Sequence, residues 1–113
     1  MIFIKKEYRI KKSQEIEKVI KARKSTGNNY FVIYRYNNLE TVNYRCALSI
    51  GKKYGNAVMR NKIKRRIRSI IRENVSLLKK LDYVIVIKPI AINLSYEEMK
   101  EMLIKLLEKE VSR

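Results

Sequence analysis

The 113-residue chain contains no histidine and no tryptophan, and Cys46 is its only cysteine. Without histidine it has no imidazole base and no histidine metal ligand, and one cysteine allows neither an internal disulfide nor a zinc knuckle. Cys46 lies in an alternating apolar segment, which predicts a small buried thiol and not a reactive one. These absences argue against a protein-borne hydrolytic centre, and the cysteine usage fits a reducing cytoplasm.

Acidic residues are also scarce, with 11 Asp and Glu against 27 Lys and Arg, for a net charge of +16. Only three glycines and one proline occur, and 46% of the residues are hydrophobic, which is typical of a folded chain. The length predicts a single domain spanning residues 1–113. The positive field predicts a polyanionic partner, with nucleic acid ahead of anionic lipid or an acidic protein.

Long apolar runs are missing as well. The opening "MIFIKK" is too short for a signal peptide, and no window approaches the ~20 apolar residues of a membrane-spanning helix. We therefore expect no membrane segment and a cytoplasmic location.

The first half of the chain has mainly strand-like patterns. Residues 1 to 12 predict a short edge strand, followed by a helix from about 14 to 24 with Ser13 as its N-cap and "TGNN" as its end. The segments at 30 to 36 and 43 to 50 are rich in aromatic and β-branched residues. The polar residues between them predict a hairpin of two antiparallel strands.

The second half alternates helix and strand. A long helical pattern extends from about 57 to 80, and the apolar run "DYVIVIKP" at 82 to 89 predicts a strand buried on both faces inside the sheet. Ser95 and Glu98 form a capping box for a last helix from about 96 to 111. The order predicts an α+β fold, a two-layer sandwich of an approximately four-stranded sheet and three helices.

The long helix combines an apolar stripe with a basic arc when it is projected at ~100° per residue. The stripe contains Met59, Ile63, Ile67, Ile70, Leu77, Leu78 and Leu81, with Ile71 at its edge. The arc contains Asn61, Lys64, Arg65, Arg68 and Arg72, with Arg60 on the border to the core and Lys62 and Arg66 on the far flank. No Asp or Glu occurs between Glu40 and Glu73. A solvated helix face usually mixes charge signs, so we favour a ligand-binding face over a solvated one.

The arginines of this arc favour phosphate as the ligand, because the planar guanidinium binds phosphate oxygens with two hydrogen bonds and also stacks on bases. Asn61 adds a neutral donor and acceptor for which a lipid surface has no need. A shaped polynucleotide is therefore favoured over an anionic membrane. Docking on a membrane stays as a weaker alternative, since the apolar stripe is used for the core and no aromatic anchors border it.

The stretch "GNAVMRNKIKRRIR" at 55 to 68 resembles the RNR signature of the protein subunit of bacterial ribonuclease P. The resemblance extends over nearly the whole chain, through "RIKKSQEIEKVI", "FVIY", "LSIGKKYGNAVMRN", "DYVIVIKP" and "LSYEE". It implies an accessory protein without catalytic or metal-binding residues of its own. Its partners would be a catalytic RNA, which removes the 5′ leader of precursor tRNA with bound Mg²⁺, and the precursor tRNA itself. The protein would be monomeric within this ribonucleoprotein and inactive alone.

The resemblance also implies two sets of site residues. Contacts to the catalytic RNA would come from Arg60, Asn61, Lys64, Arg65 and Arg68. A cleft for the single-stranded leader would be formed by Arg9, Lys11, Lys12, Ile16, Ile20, Val32 and Tyr34, with Lys52, Lys53 and Lys88 around its rim.

This chain departs from the family pattern at positions 16 and 20, which are commonly Phe and here are both Ile. Isoleucine can pack against a base but cannot stack on it, and such stacking contributes ~1 to 3 kcal/mol per base. We expect binding of the leader to depend more on Tyr34 and the lysines than on positions 16 and 20. Ordinary core packing is the alternative role for Ile16 and Ile20.

The resemblance further implies a ribosomal protein S5 domain 2-like fold with a left-handed β-α-β crossover around the basic helix. General rules alone predict the right-handed form in ~98% of cases. The remaining functional alternative is a structural RNA-binding protein of ribosomal type without a processing role.

Overall fold

The computed structural model describes residues 9–10, 12–37 and 43–111. Its helices and strands, in chain order, are α1 (Ser13–Lys21), β1 (Ser25–Gly27), β2 (Phe31–Tyr36), β3 (Arg45–Ile50), α2 (Ala57–Glu73), β4 (Asp82–Ile87) and α3 (Tyr96–Val111). Short 3₁₀ turns occupy Lys52–Tyr54, Val75–Leu77 and Pro89–Asn93. The expected α+β class, with a four-stranded mixed sheet and three helices, is confirmed.

The sheet has the strand order β1-β2-β4-β3. β4 pairs antiparallel with β2 and parallel with β3, so that Val84 lies between Tyr34 and Ala47. The predicted hairpin between the segments at 30 to 36 and 43 to 50 is therefore wrong. The physical reason lies in β4, whose apolar residues on both faces are buried best when a strand lies on each side.

The interior position predicted for β4 is confirmed, since all of its residues except half-buried Val86 are buried. Its alternating side chains enter two cores. Tyr83, Ile85 and Ile87 face the larger core beneath α2 and α3, whereas Val84 and Val86 face a smaller core beneath α1. The sheet thus has one face fully covered by two helices and one face covered by a single short helix.

The region after α1 differs from the sequence prediction. α1 ends at Lys21, near Arg23, whose φ of 57° is left-handed and incompatible with helix. Part of the "TGNN" segment then belongs to the edge strand β1, which pairs with β2 and was missed. The turn between them is fixed by the Asn28 side chain, whose Oδ1 accepts hydrogen bonds from the backbone N–H groups of Tyr30 and Phe31 at 2.8 Å each.

The start of α1 agrees with the prediction within one residue, but the predicted capping residue was wrong. Ser13 is the first helical residue, and the capping position is Lys12, whose side chain makes no capping hydrogen bond. Before it, Arg9 forms a parallel bridge with Cys46, and the Ile10 N–H donates to the Cys46 carbonyl at 2.9 Å. The rest of the predicted edge strand, residues 1–8 and 11, lies outside the described residues. Cys46 is a buried free thiol, as expected, and burial raises its pKa to about 12.

α2 is shorter than its helical pattern predicts. It ends at Glu73, where the Asn74 side-chain amide donates to the Ile70 carbonyl at 2.8 Å, and the chain continues into a 3₁₀ turn. The predicted stripe is confirmed for its central residues, because Ile63, Ile67, Ile70 and Ile71 are fully buried. Met59 is instead 38% exposed. The leucines at 77, 78 and 81 still pack against the core from the segment beyond α2.

α3 has the predicted bounds and the predicted capping box. The Ser95 N–H donates to Glu98 Oε1 at 3.0 Å, and the Glu98 N–H donates to Ser95 Oγ at 3.2 Å. The hydrogen bond from the Ser95 N–H, with a smaller contribution from the Ser95 side chain, lowers the pKa of the Glu98 carboxyl below its ordinary value. The helix packs on the same side of the sheet as α2.

The β3-α2-β4 unit joins two adjacent parallel strands through a helix. The crossover predicted at this position is therefore present. Its left-handed sense stays a prediction from the family resemblance.

Candidate nucleic-acid interface

α2 begins with a side-chain cap that fixes the register of its basic residues. The Asn56 Oδ1 accepts a hydrogen bond from the Met59 N–H at 3.0 Å, and no acidic residue occupies the first turn. Gly55 precedes the cap with φ of 153°, and a Cβ there would lie 2.9 Å from Met59 Sδ. The contact is with a flexible side chain that can shift, so it is the φ that favours glycine at this entry into the helix.

The buried isoleucines of α2 hold its cationic side chains away from the core. Asn61, Lys62, Arg65 and Arg72 are exposed, whereas Arg60, Lys64, Arg66 and Arg68 are half-buried. Within the described residues, none of the seven cationic side chains of α2 forms an ion pair with a carboxylate. The helix therefore presents uncompensated positive charge, which is the arrangement that phosphate groups neutralise.

Three of the half-buried cations lie in different surroundings. Arg60 Nε is buried without a hydrogen-bond partner. Burial raises the pKa of the Tyr54 hydroxyl, and the positive charge of Arg66 offsets part of this increase. Arg68 is partly desolvated and lies near Arg9, and both effects lower the pKa of its guanidinium. Arg66 and Arg68 therefore lie in different surroundings along the helix.

The predicted leader cleft lies on the opposite face of the sheet, where α1 crosses β2 and β4. Val19 of α1 is fully buried in the smaller core, while Ile16, Ile20 and Tyr34 are half-buried and pack against it. The two isoleucines thus contribute to the core and also expose part of their surface. Val32 lies on the same face, beside Val86 in the register.

A charged anchor that the sequence did not reveal fastens α1 to this face. The Arg45 guanidinium donates two hydrogen bonds to Asp82, at 2.9 and 2.7 Å, and a third to Glu15 of α1 at 3.2 Å. Asp82 is almost fully buried, and its hydrogen bond is the main cause of the raised pKa of Arg45. The signal available in the sequence was Asp82 itself, the only acidic residue between Glu73 and Glu97.

The rim lysines lie beyond the carboxyl ends of β3 and β4, whereas Arg45 and Asp82 lie at the beginnings of these strands. Lys52 and Lys53 are exposed in the turn after β3, and Lys88 follows β4 with its ammonium donating to the Asn28 carbonyl at 3.0 Å. Because β3 and β4 are parallel, their carboxyl ends meet at one edge of the sheet. The floor between this edge and α1 carries Val32 and Tyr34. Lys12 is exposed at the start of α1, and Lys11 lies outside the described residues.

The two predicted sets of residues meet at one point. A cavity of about 280 Å³ is lined both by Arg9 and Ile16, from the leader set, and by Arg68, from the catalytic-RNA set. A larger cavity of about 620 Å³ lies between the β1–β2 turn and α3, and none of the predicted site residues lines it. Within the described residues, no helix is long and apolar enough to cross a membrane, and no three acidic, cysteine or histidine side chains gather as metal ligands would.

Comparison with known proteins agrees with the motifs in the sequence. The family model for ribonuclease P matches residues 4–111. The ribonuclease P protein component of Acholeplasma laidlawii is 45% identical over 107 residues, covering 94% of this chain and 91% of that protein. That of Bacillus cereus strain AH187 is 41% identical over 107 residues, covering 94% and 93%.

Solved structures show the same fold. The RNase P protein of Staphylococcus aureus superimposes with a TM-score of 0.86 at 34% identity, covering 91% of this chain and 94% of that one. The RNase P protein from Thermotoga maritima gives a TM-score of 0.80 at 27% identity, covering 89% and 96%. The fold, the basic α2 and the match over nearly the full length agree, and the chain belongs to the ribonuclease P protein family.

Proposed function

We propose that this chain is the accessory protein of a ribonuclease P holoenzyme. It binds the catalytic RNA and the 5′ leader of precursor tRNA, and so promotes Mg²⁺-dependent removal of the leader. The observation that carries the proposal is the pair of cationic surfaces on one small domain: α2 on one face of the sheet, and the α1 cleft with its lysine rim on the other. Family membership supports the same conclusion.

In this proposal α2 contacts the catalytic RNA. Arg65 and Asn61 are exposed and reach phosphate and sugar groups directly, while the half-buried stems of Arg60, Lys64 and Arg68 fix the positions of their charged ends. Bidentate guanidinium–phosphate contacts add geometric specificity to the neutralised charge. Mg²⁺ would be held by the catalytic RNA and not by this chain, and when bound there it would supply the activated nucleophile for phosphodiester hydrolysis.

The cleft positions the leader as a single strand. Tyr34 offers an aromatic surface, and the lysines at 52, 53 and 88 neutralise the phosphates that pass the sheet edge. Ile16 and Ile20 contact bases only by packing, so stacking contributes less here than with aromatic residues at both positions. The salt bridge of Arg45 with Glu15 keeps α1 in place as the wall of the cleft.

Reconstitution tests this proposal. The protein is added to a bacterial ribonuclease P RNA at low Mg²⁺ concentration, and release of the 5′ leader from precursor tRNA is followed. We expect cleavage with both components and none with the protein alone. RNA binding without stimulation of cleavage would favour the alternative of a structural RNA-binding protein of ribosomal type.

Leader length provides the test of the cleft. Titrations of the holoenzyme with precursor tRNAs of different leader lengths should show tighter binding as the leader grows across the lysine rim. Affinity that does not depend on leader length would contradict leader binding while leaving the α2 contacts intact. A monomeric protein within the complex and a cytoplasmic location stay predictions.

A further inference from the structure

The cavity of about 620 Å³ between the β1–β2 turn and α3 is a groove that the proposed RNA contacts do not use. Gly27 and Asn28 form one wall, and Met102 and Leu106 give the α3 wall an apolar part. The volume lies within the ~300 to 1,000 Å³ of pockets that enclose a ligand. The groove is therefore large enough to hold part of a partner molecule.

The wall formed by β1 is an open edge of the sheet, because β1 is the first strand in the order and only β2 lies beside it. The Asn28 N–H donates to the Phe31 carbonyl at 2.9 Å. At the other end of the pair, the Arg35 N–H donates to the Lys24 carbonyl at 2.9 Å. Successive residues of a strand alternate in direction, so the N–H and C=O groups of Gly27 are directed away from β2. Such an edge is a template on which an extended peptide adds as a further strand.

The charges beside this edge are mainly positive. Lys24 leads into β1 and Lys109 lines the groove from α3; both are exposed, and neither forms an ion pair with a described residue. Lys105 also lines the groove, and its ammonium is 3.5 Å from Glu101 in an exposed ion pair. Glu108 is the one carboxylate among the described residues that line the groove, and it already has an interaction within the chain. An approaching strand therefore meets uncompensated positive charge.

This charge selects the kind of strand that can be added. A second copy of the chain has a charge of +16 and is repelled, since lysines beside an open edge protect it from pairing with like chains. An acidic strand is attracted instead. Alternate side chains of an added strand face the same way, so every second residue would face Met102 and Leu106 and should be apolar. The complementary ligand is an extended peptide that alternates acidic and apolar residues.

We propose that the groove between β1 and α3 is a docking site for an extended acidic segment of a partner protein, which adds to the open edge of β1 as a fifth strand. Its carboxylates lie near Lys24 and Lys109, and its apolar side chains pack on α3. The site is separate from α2 and from the α1 cleft, so a partner protein and RNA can be bound together. The proposal does not rest on the proposed function.

A synthetic peptide that alternates leucine and glutamate is the probe. Fluorescence anisotropy measures its binding to the full chain alone and to the chain assembled with ribonuclease P RNA. Peptides with lysine in place of glutamate, or with glycine in place of leucine, are the matched controls. We expect the acidic apolar peptide to bind in both arms at least about tenfold more tightly than either control. NMR spectra of the chain alone should show its largest amide shifts at Gly27 and along the groove.

Backbone methylation of the peptide separates strand addition from attraction between charges. In an added strand every second N–H points to β1, and the others point to solvent. Methylation of the first set removes hydrogen bonds to the edge, whereas methylation of the second set does not, and the charge is the same in both peptides. We expect one methylated peptide to lose about tenfold or more in affinity and the other to bind like the unmethylated one.

A charge reversal in the protein locates the peptide. Lys109→Glu should weaken binding of the acidic peptide about tenfold, because an attraction beside the groove becomes a repulsion. Lys80→Glu reverses an exposed cation that does not line the groove, so it makes the same change in net charge and should have a much smaller effect. Neither lysine is assigned to RNA, so both variants should assemble with ribonuclease P RNA. Their melting temperatures should match that of the wild type.

Several outcomes overturn the docking site. They are failure of the acidic peptide to bind, equal loss with both methylated peptides, and equal loss in Lys109→Glu and Lys80→Glu. Displacement of the peptide by a single-stranded RNA oligonucleotide would show that the groove binds RNA. Shifts at Gly27 that grow with protein concentration, without peptide, would assign the edge to a second copy. Each would leave the proposed function standing, because none concerns α2 or the α1 cleft.

Discussion

Two nearby residues of α2 have opposite environments although both lie in the same motif. Arg65 is exposed, whereas Ile67 is completely buried beneath the helix. The helical period places their side chains about 200° apart, so the two substitutions should affect different properties. Binding and folding can therefore be separated within three positions of one helix.

Arg65→Ala should weaken the assembly with ribonuclease P RNA about tenfold and change the free energy of unfolding by no more than ~0.5 kcal/mol. Ile67→Ala should cost ~2 to 5 kcal/mol of folding free energy, since it leaves a cavity in the main core. Chemical denaturation and RNA titration of both variants check this. An Arg65→Ala protein that unfolds easily would contradict the outward position of this side chain.

Ile16 and Ile20 are the positions at which the family resemblance leads us to expect aromatic residues and this chain has isoleucine. Both are half-buried, so part of each side chain supports the smaller core and part faces the cleft. The two roles proposed from the sequence, core packing and a cleft surface, are thus compatible in the structure. What they contribute to leader binding stays a prediction.

Ile20→Phe should tighten binding of precursor tRNA with a long leader, by up to the ~1 to 3 kcal/mol of one base stack. Binding of a substrate without a leader should not change, because no base then lies over position 20. Holoenzyme titrations with the two substrates make the comparison. Equal gains with both substrates would show that the phenylalanine acts elsewhere, and a large loss of stability would indicate overpacking of the core.

At the scale of the elements, the position of α1 depends on a charged contact as well as on apolar packing. Arg45 links buried Asp82 of β4 to Glu15 of α1. Asp82 is 2% exposed and Glu15 is 35% exposed, so solvent screens the second contact much more than the first.

Asp82→Asn should destabilise the fold by ~1.5 to 3 kcal/mol, because the charge-assisted hydrogen bonds of Arg45 to its buried carboxylate partner are weakened while Arg45 keeps its contact with Glu15. Glu15→Gln should cost ~1 kcal/mol or less, because its contact is half-exposed. It should nevertheless loosen the N-terminal end of α1 and weaken binding of long leaders. Thermal unfolding and leader titrations measure the two effects. Similar stability losses for both variants would contradict this ranking.

The capping box of α3 predicts a pH dependence. Hydrogen bonds from Ser95 lower the pKa of Glu98 below its ordinary value of 4.5. A lowered pKa in the folded state means that the ionised carboxyl stabilises the fold above pH 4.5, and that this contribution is lost as the pH falls through the folded-state pKa. Wild type should therefore be more stable than Glu98→Gln at neutral pH, and the difference should shrink in acid. A difference that is constant with pH would contradict the ionised cap.

The elements also show what could be read from the sequence. The start of α3 followed from Ser95 and Glu98, and the interior position of β4 followed from its unbroken apolar run, because both signals are local. The pairing of β2 with β4 could not be deduced, since two strands joined by a short polar segment usually form a hairpin. β1 was missed because three residues with a glycine carry no alternating pattern. The residues of the α2 arc were predictable from periodicity, whereas the Arg45 anchor depends on strand register.

Across the whole molecule, charge is distributed unevenly. α3 carries five glutamates and three lysines, so it is two units negative although the chain as a whole has a charge of +16. Two of its lysines form ion pairs, Lys100 with Glu73 and Lys105 with Glu101. The excess positive charge therefore lies outside α3, with seven cationic side chains on α2 alone, and it should orient the approach of RNA toward that helix.

This asymmetry predicts which cations contribute to the salt dependence of RNA binding. Each phosphate contact adds ~0.7 to 0.9 to the slope of log affinity against log salt concentration, because bound counterions are released. Arg65→Ala should reduce the slope by about one contact. Lys109→Ala, a matched loss of one exposed cation on α3, should leave the slope unchanged. Titrations with ribonuclease P RNA over a series of salt concentrations measure both slopes. Equal reductions would mean that RNA responds only to the total charge of the protein, and the distinct role proposed for the α2 surface would then be wrong.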